Sequence, residues 1–438
     1  MKRLLATLLA AACLAGCSAQ GSSSAQGATL PAAPEAEPQS LTVYCDLPEG
    51  SAGRAALNAY AEAQNVTVEF VSGEEGLASA DLALLAAQPA DAEGWTDLTG
   101  DSLLKAAAAR AGLPGEGQEG VTALPLGRTL YAYWADSTVL TALLGEDCLT
   151  DLQNASWSEW IDFAETMTAW IEAPSETKVT LNGNSYTLPA EAPEAAAGLE
   201  GVFAVGGGDQ VSCLGGALFT NVLLAAGSEY TDKTLTGPLN GLYSAVVLEA
   251  ENTAGDASRT MQDAAGALGS GTALLYRGLL ADVVAVVGSD RAQTLVPLPV
   301  KCQLEDSDLT TEEYNLSGLM NYPTLACAGY LAIPDNGSAD QKAAASAILW
   351  LYGSGDGNTR LTDDLYLVTP WNTASDSTTL GALQVQLVST GILPEVALNG
   401  TRSADLAKAC ADVVAAETRS TATKTAFVEA VLAGLDVA

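Results

Sequence analysis

Leu41-Thr42-Val43-Tyr44, running into the loop Cys45-Asp46-Leu47-Pro48-Glu49-Gly50, opens the part of the chain with something to bury, and the residues from there to Leu85 decide the fold class. Leu41 to Tyr44 reads as a strand. Leu57, Tyr60 and Ala61 then recur at helical spacing, Val66, Val68 and Phe70 alternate as in a strand with one buried face, and Asp81-Leu82-Ala83-Leu84-Leu85 is a short buried run. Strand, helix, strand, connection, strand in so short a stretch is the pattern of a parallel sheet covered by helices. Ligands of such sheets bind beyond the carboxyl ends of the strands. Position alone therefore makes the loop 45–50 a candidate binding site, with Tyr44 and Asp46 at its edge.

Working outward toward the N-terminus, Lys2 and Arg3 precede an apolar run from Leu4 to Leu14, and Leu14-Ala15-Gly16-Cys17 closes it. A basic start, an apolar centre and small residues before a cysteine read as an export signal that ends in a lipidation site. The run is too short to be a permanent span, which needs about 20 apolar residues. The four closing residues resemble the lipobox of bacterial lipoproteins, and that resemblance implies a diacylglyceryl group on Cys17 after cleavage in front of it. The expected segments are a signal peptide over 1–16 and a lipidated, flexible tether over 17–40, rich in Ser, Ala, Gln, Gly, Pro and Glu. Two acyl chains hold a protein stably on a membrane where one holds it marginally. The folded part is expected in water at the extracellular face of the cell membrane.

The 438 residues leave room for two or three domains, and nothing after residue 17 is apolar for long enough to cross a bilayer. The chain carries 18 Lys+Arg against 53 Asp+Glu, a net charge of −35, and loss of Lys2 and Arg3 makes it more negative still. Such a surface repels phosphate backbones and anionic lipid, which argues against a nucleic-acid partner and weakly favours cationic ligands. There is no histidine. That excludes Ser-His-Asp and Cys-His hydrolysis, histidine-ligated zinc and HExxH chemistry together. Of the eight cysteines, Cys13 leaves with the signal and Cys17 is acylated; Cys45, Cys148, Cys213, Cys302, Cys327 and Cys410 are far apart and without CxxC spacing. Three bridges in any of fifteen connectivities would be formally open to them, and small buried free thiols are the plainer expectation.

Downstream, Ala123-Leu-Pro-Leu-Gly-Arg-Thr-Leu-Tyr-Ala-Tyr-Trp134 leads into a helix ending near Gly145, and Ser156-Trp157-Ser158-Glu159 opens a second helix with a capping box, continued at helical spacing by Ile161, Ala164, Met167 and Ile171. Phe219 to Gly227 precedes an acidic turn. Gly269 to Gly278 is followed by Val296-Pro-Leu-Pro299, and Ala328-Gly-Tyr-Leu-Ala-Ile-Pro334 by a helix from Ser338 through Trp350, with a capping box from Ser338 to Gln341 and Gly353 past its end. In kind and order these segments resemble the extracellular solute-binding proteins of bacterial ABC importers, in particular the branch with many sugar binders. Val179 to Leu188, a hairpin around Asn182-Gly183, stands outside that resemblance.

The resemblance implies an α/β, two-lobe, periplasmic-binding-protein-like (type II) fold. Each lobe would be a mainly parallel sheet flanked by helices, with a ligand cleft between the lobes. The expected boundaries are 41–126 with 272–335 for the first lobe and 127–271 with 336–438 for the second. It also implies delivery of a small solute, with a carbohydrate leading, to a membrane permease by hinge closure. The protein would be a monomer held by its lipid anchor, with neither a cofactor nor a metal and no enzymatic activity. A receptor for polyamines or other cations, a surface-tethered carboxylate-based glycosidase, and a surface adhesin stand as alternatives.

Sugar recognition needs flat aromatic faces against the ring and carboxylates or guanidinium groups on the hydroxyls. Tyr44, Asp46, Arg128, Tyr131, Asp209, Tyr276, Arg277 and Trp371 are those residue types near the expected cleft, each weighed against an ordinary packing aromatic or surface charge. Trp157, Trp160 and Trp350, at helical spacing, read as core. Gly206-Gly-Gly-Asp-Gln210 lacks the Gly-Lys-Ser/Thr ending that would cradle a phosphate, and the acidic stretch Asp306, Asp308, Glu312, Glu313 lacks the turn glycine of a calcium loop.

Overall fold

The computed structural model describes residues 40–89, 92–111, 120–207, 222, 225, 231–257, 259–310, 315–337, 339–369, 379–389 and 400–435. Cys17 with its tether, Asp209, Cys213 and Trp371 lie outside the described residues. Two five-stranded sheets organise what is described. In the first, β1 (Ser40–Cys45) lies between β2 (Thr67–Val71) and β3 (Leu82–Leu85), parallel to both, and β12 (Tyr330–Ala332) joins β3 to β4 (Ala123–Pro125), antiparallel to each. Helix α1 (Ala52–Gln64) makes the crossover from β1 to β2. Its buried Ala56, Leu57 and Tyr60 pack with Leu41, Val43 and Leu84 of the sheet.

The second sheet is built around β5 (Arg128–Asp136). It pairs antiparallel with β9 (Ala273–Leu279), β10 (Leu295–Leu298) and β11 (Thr324–Cys327), and β8 (Gly201–Ala204) runs parallel to β9. The residues of β5 after Arg128 are buried on both faces, as in a central strand covered on each side. One face meets α2 (Trp157–Glu172), whose Trp160 is fully buried with its ring centroid 5.4 Å from that of Tyr133. The Ser156–Glu159 capping box forms as expected. The hairpin is β6 (Thr177–Leu181) and β7 (Asn184–Leu188), with Asn182 and Gly183 both at positive φ. Asp151 fastens it to the lobe: its carboxylate accepts Asn182 Nδ2 at 3.0 Å, Asn184 Nδ2 at 2.8 Å and the Tyr186 hydroxyl at 2.5 Å. Burial works to raise the Asp151 carboxyl, but these three bonds hold it below the usual range.

The second lobe also buries Lys301, 1% exposed, whose Nζ donates to the Gln153 carbonyl at 2.7 Å and to Asn321 Oδ1 at 3.0 Å. Neither acceptor is charged, so loss of hydration pushes the ammonium down to about 7. Cys45, Cys148 and Cys302 are buried free thiols.

Three segments cross between the sheets side by side. Leu126 N–H donates to the Gly329 carbonyl at 2.9 Å, Ala328 N–H to Gly127 at 3.0 Å, and Arg128 and Val368 exchange N–H···O bonds of 2.9 and 2.8 Å. Gly127 (φ +153°) and Gly329 (φ +136°) lie in backbone regions that side chains resist, and a Cβ on Gly127 would come within 3.1 Å of Leu367.

This arrangement corrects the expected boundaries. Residues 272–335 do not join the first lobe as a block: β9, β10 and β11 stay with β5, and the chain enters the first sheet only at β12. The first lobe then extends past 335, because α6 (Gln341–Gly353) and Leu361, Leu365 and Leu367 pack into its core. Ala273–Leu279 and Tyr330–Ala332 are both short, mostly apolar strands, and their partners far along the chain decide which sheet each joins. The sheets are mixed rather than mainly parallel: β12 runs against β3 and β4, and β9, β10 and β11 run against β5. The cap of α6 also differs: Asp340 accepts the N–H groups of Lys342 and Ala343, both at 3.0 Å, and Gly353 is the last helical residue.

Candidate functional site

The carboxyl ends of β1 and β3 and the amino end of β12 meet at the hinge side of the first lobe. Because side chains alternate along β1, Leu41, Val43 and Cys45 face the core while Tyr44 takes the other face, where it stands half-buried with Tyr330 around Ala83 and Leu85. Asp46 follows at once. Its Oδ1 accepts the Ala86 N–H at 2.6 Å, tying the loop after β1 to the loop after β3. Burial pushes the Asp46 carboxyl up to about 6, with the Ala86 bond opposing. Burial, then the charges of Asp46 and Cys45, raise the Tyr44 phenol. The loop is braced from behind by Arg54, whose Nε donates to the Leu47 carbonyl at 3.0 Å and whose guanidinium sits 4.8 Å over the Phe70 ring.

From the second lobe, α5 (Leu280–Val287), which follows α4 (Met261–Ser270) and β9, reaches this same loop. Asp282 Oδ1 accepts the Ala52 N–H at 2.8 Å, at the start of α1. Burial pushes the Asp282 carboxyl up to about 6, with the Ala52 bond opposing. Arg128, exposed, begins β5 at the hinge.

The remaining expected site residues fall elsewhere. Tyr131 and Arg277 do come together, but around a third residue the sequence did not single out. Arg277 forms a two-pronged pair with Glu249, on α3 (Asp232–Glu251), with Nε and Nη2 each 2.7 Å from a carboxylate oxygen. Arg277 also donates to the Tyr131 hydroxyl, and Tyr133 donates to Glu249. Arg277, Glu249, Tyr131 and Tyr133 are all less than 9% exposed. The Glu249 charge keeps Arg277 firmly protonated against the opposing cost of burial. Tyr276 is buried in a neighbouring cluster with Trp134. These three residues build the second lobe's interior, and the packing reading weighed for them in the sequence is the one their burial supports. The residues the sequence missed are Tyr330 and Asp282, which nothing in their local pattern distinguishes.

Among the described residues no group of three or more His, Cys, Asp or Glu side chains is placed to hold a metal ion, and no helix is long and apolar enough to cross a membrane. An open groove of about 620 Å³ lies apart from the hinge, between the outer side of α1 and residues 356–364, lined by Glu62, Trp350, Asp356, Arg360 and Asp364 among others.

No family model and no curated protein matches the chain in sequence. Solved structures match its fold over nearly the whole length. A maltose-bound MalE3 from T. maritima is 15% identical with a TM-score of 0.57, covering 91% of this chain and 99% of its own. The bacterial solute receptor AcbH, described as having an exclusive preference for β-D-galactopyranose, is 14% identical with a TM-score of 0.53, covering 91% and 98%. An ABC transporter solute-binding protein from Agrobacterium radiobacter K84, in complex with ribitol, is 11% identical with a TM-score of 0.53, covering 91% and 99%. The chain thus has the two-lobe α/β fold of these binding proteins.

Proposed function

We propose that the chain is a lipid-anchored extracellular receptor of an ABC importer. It captures a small solute, with a carbohydrate first in line, in a cleft between its lobes and hands it unchanged to a permease when the hinge closes. The observation that carries this reading is the three-stranded hinge, which joins two separately cored lobes and places the loop after β1 opposite a helix of the other lobe. Receptors that share the fold take maltose, β-D-galactopyranose and ribitol, all rich in hydroxyl groups, and this supports the carbohydrate.

In this reading Tyr44 and Tyr330 offer aromatic surface and Asp46 and Arg128 grip hydroxyls, with Asp209 and Trp371 as further contacts. Tyr131, Tyr276 and Arg277 stiffen the second wall from inside. Cys17 carries the acyl chains, the acidic tether lets the receptor swing to its permease, and the protein acts as a monomer.

Thermal unfolding of the exported chain against oligosaccharides, monosaccharides, polyols, amino acids and polyamines tests the proposal. A solute at a thousand times its dissociation constant stabilises the folded state by about 4 kcal/mol, a shift of at least a few degrees. A shift with one sugar class is the expected outcome. A shift with spermidine alone would turn the reading to a cationic solute, which the carboxylates of Asp46 and Asp282 at the loop favour. Sugar hydrolysis during the incubation would overturn the receptor in favour of a tethered glycosidase.

A further inference from the structure

A helix normally finds its N-terminal cap in the residue that precedes it, and α1 does not. Ser51 stands at its N-cap position but makes no side-chain cap, and its buried Oγ bonds to no described residue. The partner of the first helical N–H is Asp282, 230 residues away in the chain and in the other lobe. The helix that carries Asp282 is shared between the lobes as well. Leu280, Val283 and Val284 of α5 belong to a second-lobe cluster, whereas Ala281, fully buried, belongs to the first-lobe core. Next to this contact the loop comes so near the second lobe that a Cβ on Gly50 would stand 3.0 Å from Gln262 and 3.2 Å from Val286. A carboxylate at a helix N-terminus gains from both the free N–H groups and the helix dipole.

We propose that Asp282 is the closure residue of this receptor, a positioning group that caps α1 from the opposite lobe when the lobes meet and gives the cap up when they part. This deepens the receptor reading and rests on it for its purpose, but the contact itself needs no solute. It gives closure a proton dependence. In the open form the carboxyl is hydrated and has an ordinary acidity, whereas in the closed form burial pushes it up to about 6. Closure therefore takes up a proton: it is favoured as pH falls through about 6 and opposed above it.

The elements packed against α5 carry Arg54 and Glu62 on α1, Asp263 on α4, Asp290 and Arg291 on the helix after α5, Arg128 and Asp136 on β5 and Arg277 on β9, and Asp46 and Glu49 lie in the loop before α1. Asp46 is bonded to Ala86, Arg54 is turned to Leu47 and Phe70, and Asp263 accepts from its own helix cap, Thr260, at 2.8 Å. Desolvation, not a neighbouring charge, raises the Asp282 carboxyl. With the carboxyl near 6 when closed and at its ordinary acidity when open, the closed-to-open ratio should fall by at most about tenfold between pH 5 and pH 8.

Small-angle X-ray scattering of the solute-free exported chain at pH 5 and pH 8 tests this. Asp282→Asn keeps an oxygen for the Ala52 N–H without a charge, and Asp282→Ala removes the cap. The wild type should have a smaller radius of gyration at pH 5 than at pH 8. Asp282→Asn should match the wild type's pH 5 value at both, and Asp282→Ala should be larger at both. A wild-type pH difference that survives in Asp282→Asn, or scattering of a folded Asp282→Ala that equals the wild type at both pH values, would overturn the proposal. Should Asp282→Ala lose its circular-dichroism signature of folding, Asp282→Asn alone decides. Because no solute is in the cell, failure here and failure of the solute panel are separate results.

Discussion

The two lobes hold themselves together by different means. In the first, α1, α6 and the sheet meet through Leu, Val, Ala and aromatic side chains, and its carboxylates stand at loops and helix ends. The second surrounds a central strand buried on both faces with an apolar core as well, but it encloses the Arg277–Glu249 pair with two tyrosines and, separately, the ammonium of Lys301. A core of apolar groups fails gradually when one is trimmed. A core with buried charge fails abruptly when one partner is lost, because the other is left without compensation.

The largest effect should come from Arg277→Met, which strands the Glu249 carboxylate: about 3–5 kcal/mol of lost stability in urea unfolding. The double variant Arg277→Met/Glu249→Leu should recover a large part of it. Leu84→Ala in the first lobe should cost about 2–5 kcal/mol, with no second-site change that rescues it so simply. If the double variant is as unstable as the single, the pair is not what sets the second lobe apart.

Next in size is the pH response of Lys301. Its ammonium ionises near 7 when folded and near 10.5 when unfolded, so from pH 7 upward the folded state gives up its proton first and stability rises with pH toward 10.5. Between pH 7 and pH 9 the wild type should gain on the order of 1–2 kcal/mol relative to Lys301→Met, which has nothing to titrate there. Equal slopes for the two proteins would show the amine to be hydrated in solution.

Smallest are the helix caps, where the lobes should not differ. Asp340→Ala in the first lobe and Ser156→Ala in the second should each cost about 1 kcal/mol by the same unfolding assay. A several-fold difference between them would mean that cap strength depends on the lobe behind it.

The contrast also explains which parts of the chain were legible in its sequence. Leu41 to Leu85 could be read because apolar alternation and helical spacing are local, and the Asn182-Gly183 hairpin and the Ser156 cap because each depends on residues only a few positions apart. Strand membership is decided at a distance: nothing in Ala273–Leu279 says that it lies beside β5, and nothing in Tyr330–Ala332 says that it lies beside β3 and β4. The site suffered in the same way. Tyr131 and Arg277 have the side chains a sugar site needs, but Arg277 is engaged by Glu249, inside a helix with no local mark of that role, and in turn donates to the Tyr131 hydroxyl. Asp46 could be placed because it follows a strand directly. Asp282 could not, because the amide it caps lies 230 residues earlier.

The hinge has a mechanical consequence. A single connecting strand would let one body swivel, tilt and roll against the other. Three strands bonded edge to edge through Leu126–Arg128, Ala328–Gly329 and Val368 form a ribbon, stiff within its own plane and soft only across it. Of the three rotational degrees of freedom, two are suppressed and one survives. In the proposed receptor the lobes would thus travel along a single arc, and molecules of different bulk caught between them would stop that arc at different angles without changing its axis.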